Sequence, residues 1–294
     1  TPGGLKFSMF INEVKTLRKN YDPKAKLPAD YLKRKTGILF SPDNVMAINL
    51  NRQTTEWNTE GHFLKYYKAL KTFGAPVDFI RDTTDFSRYP VVIAPAYQMI
   101  DKEMVSKMTA YVRKGGHLVL SARTGHQDRQ GHLWEAPWAA PILDLIGADI
   151  RFYDLLMPHA PDSVLFESKK YGWSSWGDIL KPRQGTTAWA SFQGDFYAGQ
   201  TAVTFARLGN GTVTYIGVDS RDGSLEKDVL AKLFRVVNIP VASWPQGILV
   251  DYRDGFGIAV NYSDKPWEMK LPDHIRVLVG TQTINTGGVL VWKY

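Results

Sequence analysis

The residues best placed to do chemistry form the short segment Ser121-Ala122-Arg123-Thr124-Gly125. It directly follows His117-Leu118-Val119-Leu120, a run that predicts a buried strand. A sharp turn after such a strand is where a nucleophile elbow, G-x-(Ser/Cys)-x-G, presents its serine or cysteine. Arg123 stands in the position of that nucleophile. Because a guanidinium stays protonated and has no free lone pair, Arg123 cannot attack a carbonyl.

Two hydroxyl groups remain in the segment, those of Ser121 and Thr124. Neither occupies the elbow position, and the sequence places no recognisable base beside them. Capping of the turn is therefore favoured over a nucleophilic role. We predict no catalytic residue here.

The next residues offer metal-binding groups, since His126, Asp128 and His132 bring two imidazoles and a carboxylate into seven positions. No strand or helix fixes their spacing, and Gly131 loosens the loop, so a polar lid or interface loop is favoured over a metal site. The chain has no cysteine, which excludes disulfides and thiolate ligands. We predict neither a metal nor a cofactor.

The pair Asn12-Glu13 is of a kind that supplies the acid of some glycosidases, where it lies at the end of a barrel strand. Here the apolar spacing over residues 5–21 predicts an amphipathic helix and puts the pair on its polar side. A solvated helix face is the favoured interpretation.

A β-α-β unit must position the central turn. Val91-Val92-Ile93-Ala94 is too continuously apolar for a half-solvated strand, and a helix is expected to begin at Asp101 and to end at Gly115. Such sheets bind ligands just beyond the carboxyl ends of their strands. Ala96, Tyr97 and residues 121–125 are therefore the first candidates for a functional site.

Upstream, we predict a strand at residues 37–40, a long loop at 43–57, a helix ending at Gly74 and a strand at 77–80. The resulting order is β-α-β-β-α-β, the pattern of a doubly wound α/β sheet. The stretch resembles the class I glutamine amidotransferase-like variant of the flavodoxin-like fold, with Arg123 where the cysteine would stand.

Downstream of Gly125 the pattern is weaker. It predicts a helix over 138–146, a hairpin turning at Gly209-Asn210-Gly211, and a last helix capped by Ser224 and ending at Asn238. This region is also rich in tryptophan, for which core or interface packing is favoured over stacking on sugars. The tryptophans concerned are Trp134, Trp138, Trp173, Trp176 and Trp189.

From Val241 onward short alternating runs predict a small antiparallel all-β domain. The runs cover residues 248–252, 256–262, 267–271, 276–279 and 289–292. We therefore expect three parts: a helix and linker at 1–35, the α/β domain at 36–239, and the β-domain at 240–294.

Composition narrows the class of protein. The net charge is +7, but residues 1–35 hold nine Lys/Arg against three acids, and the remainder holds 27 against 26. A basic groove is not expected, so we predict no nucleic-acid partner. No apolar run approaches the ~20 residues of a membrane helix, so no membrane partner is expected either. The start, Thr-Pro-Gly-Gly, favours an excised piece of a longer protein. We expect a soluble protein, with the cytoplasm favoured.

The order of parts resembles the C-terminal portion of a family 42 glycoside hydrolase, a β-galactosidase. The resemblance covers nearly the whole chain and rests on short stretches in a shared order. These are Tyr66–Leu70, Gly74–Asp78, Val92–Ala96, Gly115–Gly125, Phe196–Thr204, Gly209–Gly211 and Asn261–Asp264.

The resemblance implies a trimerisation domain followed by the C-terminal β-domain, with the tail of a catalytic barrel before them. The two catalytic glutamates of the family lie on barrel strands and match no position of this chain. Implied partners are a homotrimer and the galactoside substrate of the parent enzyme. We expect the loops at 41–57 and 123–138 to wall a neighbouring active site. A carbohydrate-binding module that uses tryptophan faces is the alternative.

Overall fold

The computed structural model describes residues 4–157, 160 and 162–294. Its helices are α1 (Leu5–Asn20), α2 (Ala29–Lys33), α3 (Pro42–Leu50), α4 (Thr59–Thr72), α5 (Lys102–Arg113), α6 (Leu143–Ile146) and α7 (Ser224–Val236), with 3-10 helices at Phe86–Arg88 and Ala140–Ile142. Its first strands are β1 (Thr36–Leu39), β2 (Val77–Ile80), β3 (Val91–Ala94), β4 (His117–Ser121), β5 (Ala148–Asp154), β6 (Ser163–Phe166), β7 (Lys169–Pro182), β8 (Thr186–Phe192), β9 (Thr201–Leu208), β10 (Gly211–Ile216) and β11 (Val218–Ser220). The remaining strands are β12 (Ile248–Arg253), β13 (Phe256–Asn261), β14 (Trp267–Glu268), β15 (Arg276–Val279), β16 (Thr283–Ile284) and β17 (Val289–Lys293).

The larger of two compact units comprises Lys35–Ala69 and Val77–Ile239. Its described strands form one 11-stranded sheet in the order β11-β7-β6-β8-β9-β10-β4-β3-β1-β2, with β5 paired to β7. Neighbours from β10 to β2 run parallel, and the other pairings are antiparallel. The unit is therefore mixed α/β, and parallel pairing is confined to strands β2, β1, β3, β4 and β10 of the described residues.

The predicted β-α-β unit is confirmed. Asp101 accepts a hydrogen bond from the backbone N–H of Met104 at 2.7 Å and caps α5, and Gly115 leaves the helix with φ +109°. Both flanking strands are almost entirely buried because helices and further strands enclose them. Their carboxyl ends bring Ala96 and Ser121 to one edge of the sheet, where the Ala96 N–H donates to Ser121 Oγ at 2.7 Å.

The loop predicted at 43–57 is wrong in its first half, where α3 forms. Ser41 caps this helix by accepting from the N–H of Asn44 at 3.3 Å, and Pro42 occupies its first turn. A capping serine followed by proline is a helix start, since proline there gives up no hydrogen bond.

The helix predicted at 138–146 is shorter than expected. Ala139 has φ +53°, so a 3-10 helix precedes α6, which ends at Gly147 with φ +64° as predicted. The predicted cap of the last helix is also wrong, because Gly223 with φ +81° precedes α7 and the Ser224 hydroxyl donates to Asp222 instead. The hairpin at Gly209–Gly211 is confirmed.

The smaller unit combines the amino-terminal segment through Arg34 with Leu70–Pro76 and Pro240–Tyr294. Its strands form a four-stranded antiparallel sheet, β12-β13-β17-β15, and a two-stranded one, β14-β16. The predicted strands at 248–252, 256–262, 276–279 and 289–292 are confirmed, whereas the run at 267–271 forms a strand over its first two residues alone. The apolar faces enclose Ile248, Val250, Leu290 and Trp292. In this unit the buried Lys71 donates to both carboxylate oxygens of Asp251, at 2.6 and 2.8 Å.

Helix α1 forms over the predicted residues, but its apolar side chains remain exposed, with Leu5 at 78% and Phe10 at 57%. None of the described helices combines the length and apolar character that crossing a membrane requires.

Candidate functional site

The central turn lies at the carboxyl edge of the parallel strands, where α/β sheets bind ligands. Arg123 at its centre has φ +71°, a backbone conformation that non-glycine residues rarely adopt. Gly125 also has positive φ, +77°, and a Cβ there would lie 2.9 Å from Ile142. The backbone thus keeps the strained geometry of an elbow. No helix follows the turn, because residues 126–139 continue as a described loop.

Ser121 takes part in a hydrogen-bonded relay that the sequence did not reveal. Its Oγ lies 2.8 Å from Nε2 of His62, and Nδ1 of the same imidazole lies 2.7 Å from Oδ1 of Asp219. The three residues come from β4, α4 and β11. These distances are those of a Ser-His-Asp arrangement. The sequence interpretation that Ser121 lacks a neighbouring base was therefore wrong.

The relay is sealed from solvent. The exposed fractions are 0% for Ser121, 1% for His62 and 5% for Asp219. Ser121 Oγ already accepts the N–H of Ala96, and the second oxygen of Asp219 accepts from Ser175 at 2.9 Å. An acyl substrate has no route to this hydroxyl, so the relay holds elements together without turning a substrate over.

Electrostatics support a structural role for the relay. Burial alone would raise the pKa of Asp219, but the hydrogen bonds and charges of His62 and Lys65 outweigh it and hold the pKa below its usual value. The Lys65 ammonium also donates to the carboxylate directly. A buried carboxylate that is ionised and paired in this way joins β11 to helix α4.

The nearby Glu226 completes the one group of His and carboxylate side chains, within the described residues, whose atoms could converge on a metal ion. With His62 and Asp219, its ligand atoms lie within 4.8 Å of one another. However, Lys65 already supplies a cation to Asp219, and Glu226 accepts from the N–H and hydroxyl of Ser220. Burial raises the pKa of Glu226, which makes its carboxylate less ready to ionise than an exposed one, and a metal ligand must be ionised.

Arg123 is buried between two indole rings. Its Cζ lies 4.8 Å from the ring centre of Trp57 and 4.5 Å from that of Trp176. Nε and Nη2 donate to Oε1 of Gln98 at 3.1 and 2.9 Å. Desolvation lowers the pKa of the guanidinium to about 10, which leaves it charged at neutral pH. The side chain is a buried structural cation held by aromatic faces and a planar set of acceptors.

The negative charge of Asp178 acts on this cation and raises the pKa of the guanidinium against the effect of burial. Its carboxylate accepts from Tyr215 at 2.6 Å, Trp176 at 2.8 Å and the Arg123 N–H at 3.2 Å. Burial raises the pKa of Asp178 to about 6, although these hydrogen bonds and the guanidinium act in the opposite direction. Strand β7, which carries Asp178, therefore also holds the central turn in place.

Arg123 also connects the two loops, 41–57 and 123–138, that are expected to wall a neighbouring active site. Nη1 donates to the carbonyl oxygen of Arg52 at 2.7 Å, and Nη2 to that of Asn51 at 3.3 Å. The segment after α3 and the segment after β4 therefore meet at the carboxyl edge of the sheet.

The histidine-rich loop does not assemble a metal site in the described residues. His126 is buried against Trp138, with ring centres 4.7 Å apart, and burial lowers its pKa well below the usual value. By contrast, His132 is exposed, and its Nδ1 lies 3.1 Å from Asp128.

The tryptophan side chains of this unit pack against other residues and do not present exposed faces to solvent. Trp57, Trp173 and Trp176 are fully buried. The ring of Trp138 is tilted against that of Tyr153, with centres 5.1 Å apart, and Trp189 lies parallel to Phe205 at 4.6 Å. All nine tryptophans lie in the described part of the chain, and each is buried or half-buried.

Comparison with known proteins adds to this geometry. The family model of the β-galactosidase trimerisation domain matches residues 34–241. The chain belongs to this family. The resemblance to family 42 β-galactosidases is thereby confirmed, and the matched residues include the relay, the central turn and Arg123.

Two curated relatives show the extent of the likeness. β-Galactosidase BgaH of Haloferax lucentense is 27% identical over 257 residues, which cover 87% of this chain and 38% of the relative. β-Galactosidase BgaB of a Geobacillus species is 26% identical over 250 residues, or 82% of this chain and 37% of the relative. The chain thus spans under two fifths of the length of these relatives.

Solved structures share the fold. The polyextremophilic β-galactosidase of Halorubrum lacusprofundi superposes with a TM-score of 0.82 at 22% identity, covering 94% of this chain and 41% of that one. The β-galactosidase of the psychrophilic Marinomonas ef1 gives a TM-score of 0.80 at 21% identity, covering 98% of this chain and 42% of that one.

Proposed function

We propose that this chain is the non-catalytic assembly part, the C-terminal portion, of a β-galactosidase that works as a homotrimer. The observation that carries the proposal is the match of the trimerisation domain family to residues 34–241. The parent enzyme would hydrolyse terminal β-galactosides, as the names of the relatives suggest. In the described residues the strands form one mixed sheet and two small antiparallel sheets, and none of these is a catalytic barrel.

The chemistry of the central turn supports an assembly role. The elbow position carries Arg123, and the hydroxyl of Ser121 is sealed within the relay. Both features remove a reactive group from the sheet edge while the scaffold is retained. Recognition of a neighbouring subunit is the function that this arrangement leaves available.

We also propose that the parallel part of the larger sheet is flavodoxin-like. The parallel strands follow the order β2-β1-β3-β4-β10, which is the flavodoxin-like strand order. The connections β1 to β2 and β3 to β4 run in opposite directions across the sheet, so right-handed crossovers would place their helices on opposite faces. We assign residues 36–239 to this amidotransferase-like domain, 1–35 to a preceding helix and linker, and 240–294 to the C-terminal β-domain.

The loops at 41–57 and 123–138 would complete the active site of a neighbouring subunit. Their support is the contact of Arg123 with the carbonyl oxygens of Asn51 and Arg52, which holds both loops at one sheet edge. A binding module that stacks sugars on tryptophan would need exposed indole faces, and every tryptophan of this chain is at least half-buried. No observation favours that alternative.

Sedimentation velocity on the purified chain tests the assembly role. We expect a species of three times the mass of one chain, and a strictly monomeric protein over a wide concentration range would refute it. A chromogenic galactoside assay tests the non-catalytic role: turnover should not rise above the blank. Any turnover that increases with protein concentration and survives repurification would contradict the proposal.

A further inference from the structure

The larger unit carries an exposed aromatic surface at one end of its sheet, on the outermost strand β2. We call it the Phe79 patch, formed by Phe40, Leu64, Tyr67 and Phe79. Phe79 is 59% exposed, and its ring centre lies 6.1 Å from that of Tyr67 and 6.4 Å from that of Phe40. Clustered apolar side chains that remain exposed on a folded unit are typical of a protein interface.

A second exposed aromatic surface lies towards the other end of the same sheet. The Phe196 patch consists of the exposed side chains of Phe152 and Phe196, whose rings pack over the buried ring of Tyr197. Phe196 is 81% exposed and stacks on Phe152 of β5, with ring centres 5.6 Å apart and planes 17° apart. Strand β5 pairs with β7, which is next to the last strand at that end. The two patches therefore sit towards opposite ends of one sheet.

The charges around the Phe196 patch are negative. The carboxylates of Asp154, Asp162 and Asp195 all act on the Tyr197 hydroxyl, and Asp154 accepts its hydrogen bond at 2.6 Å. Within the described part of the chain, none of the three carboxylates forms an ion pair.

The charges around the Phe79 patch are mainly positive. Lys68 lies one helical turn beyond Leu64 on α4, and Arg81 follows Phe79 by two residues, the spacing of one strand face. Both are exposed, and neither forms an ion pair with a described residue. The one unpaired acid of this helix face is Glu60, two turns before Lys68.

Threefold symmetry requires two different surfaces on each subunit. In a closed ring of three, every subunit contacts one neighbour through a first surface and the other neighbour through a second, so the interface is heterologous. Two aromatic patches with rims of opposite charge, at opposite ends of one sheet, meet this requirement. A twofold dimer would instead need one surface that complements itself.

Resting on the proposed trimer, we propose that the Phe79 patch of one copy docks on the Phe196 patch of the next copy. The stacked rings form the apolar centre of the interface, and Lys68 and Arg81 face the carboxylates of the neighbour. The aromatic centre supplies most of the affinity, while the charges select the head-to-tail orientation.

The test uses the full chain with Phe79→Ser and Phe196→Ser made separately, followed by sedimentation velocity. Each substitution lies on an exposed side chain, so near-native circular dichroism is expected. Every junction of a trimer of either variant lacks one aromatic anchor. The dissociation constant of each variant should therefore rise at least about 30-fold, as for a central interface residue. Tyr262→Ser, at an equally exposed aromatic residue of the other unit, is the matched control and should remain trimeric.

Mixing the two variants tests the pairing itself. The intact Phe196 patch of the Phe79→Ser chain can meet the intact Phe79 patch of the Phe196→Ser chain, so the mixture should form a dimer at high concentration. A mixture that stays monomeric, or either variant forming a dimer alone, overturns the head-to-tail pairing. If the wild-type chain is trimeric and both variants stay trimeric, this inference fails while the proposed function stands. A monomeric wild-type chain refutes the proposed function instead.

Discussion

Replacing the central guanidinium tests the structural account of the turn most directly. In Arg123→Met the methionine stem keeps much of the apolar volume between Trp57 and Trp176. The substitution removes the donors that satisfy Gln98 Oε1 and the carbonyl oxygens of residues 51 and 52. A buried acceptor left without a partner costs about 1–3 kcal/mol, and a desolvated cation-π contact contributes about 2 kcal/mol.

These losses are partly offset, because the variant no longer buries a charge. Breaking a buried charged contact by removing one partner typically costs about 3–5 kcal/mol, and we expect Arg123→Met to lower the free energy of unfolding by that amount. Arg123→Lys keeps the charge but loses the planar guanidinium. We expect its free energy of unfolding to lie between those of wild type and Arg123→Met.

Urea unfolding followed by tryptophan fluorescence measures the effect, since Trp57 and Trp176 touch the substituted side chain. Arg88→Met, at an exposed arginine of the same unit, is the control and should stay within about 0.5 kcal/mol of wild type. If Arg123→Met unfolds within about 1 kcal/mol of wild type, the guanidinium is not the buried anchor described above.

Three further predictions follow from the contacts. A fluorophosphonate probe should not label the native chain, because Ser121 is sealed; mass-spectrometric detection of a Ser121 adduct on folded protein would contradict this. The stabilisation from ionised Asp219 should be fully present above about pH 4 and lost as the pH falls through its lowered pKa. The difference in urea midpoint between wild type and Asp219→Asn should therefore shrink on acidification, and a difference that grows would refute the assigned sign. Lys71→Met should lower the stability of the smaller unit by about 1–2 kcal/mol, a moderate loss because the half-exposed Asp251 carboxylate remains hydrated. Amide hydrogen exchange in β12 and β13 measures this loss, and unchanged protection there would contradict the prediction.

Local signals in the sequence predicted much of the parallel half of the sheet. The β-α-β unit is fixed by short-range chemistry: an apolar strand, a capping Asp101, a helix and a left-handed Gly115. The position of Arg123 could likewise be inferred, because a turn immediately after a buried strand has few possible geometries. The small β-domain was predictable from alternation and turn residues for the same reason.

The antiparallel half of the larger sheet was not predictable in this way. Strand β7 runs for 14 residues through Gly172 and Gly177, and most of its side chains are buried on both faces, so no alternation marks it. Over α3 the apolar periodicity is weak, and the cap formed by Ser41 and Pro42 is what starts the helix. In both cases tertiary packing or a cap decided the structure where periodicity was weak.

The relay was out of reach for a different reason. His62 contacts Ser121 and Asp219, yet it lies 59 positions from Ser121 and 157 positions from Asp219 along the chain. One sequence contains no information on such a pairing unless the topology is already known. Asp219, a charged residue that closely follows the predicted strand at 212–217, is the signal in the sequence that points to this site.

The central place of strand β7 has a kinetic consequence. It hydrogen-bonds to β5, β6, β9 and β11, so its partners range from residue 148 to residue 220. Chain closure over such separations slows folding more than local hairpins do. The parallel half closes over a longer separation still, because Thr212 of β10 pairs with His117 of β4. Pairing around β7 can therefore come first, and closure of the parallel half then sets the rate at which newly made chains become competent to assemble.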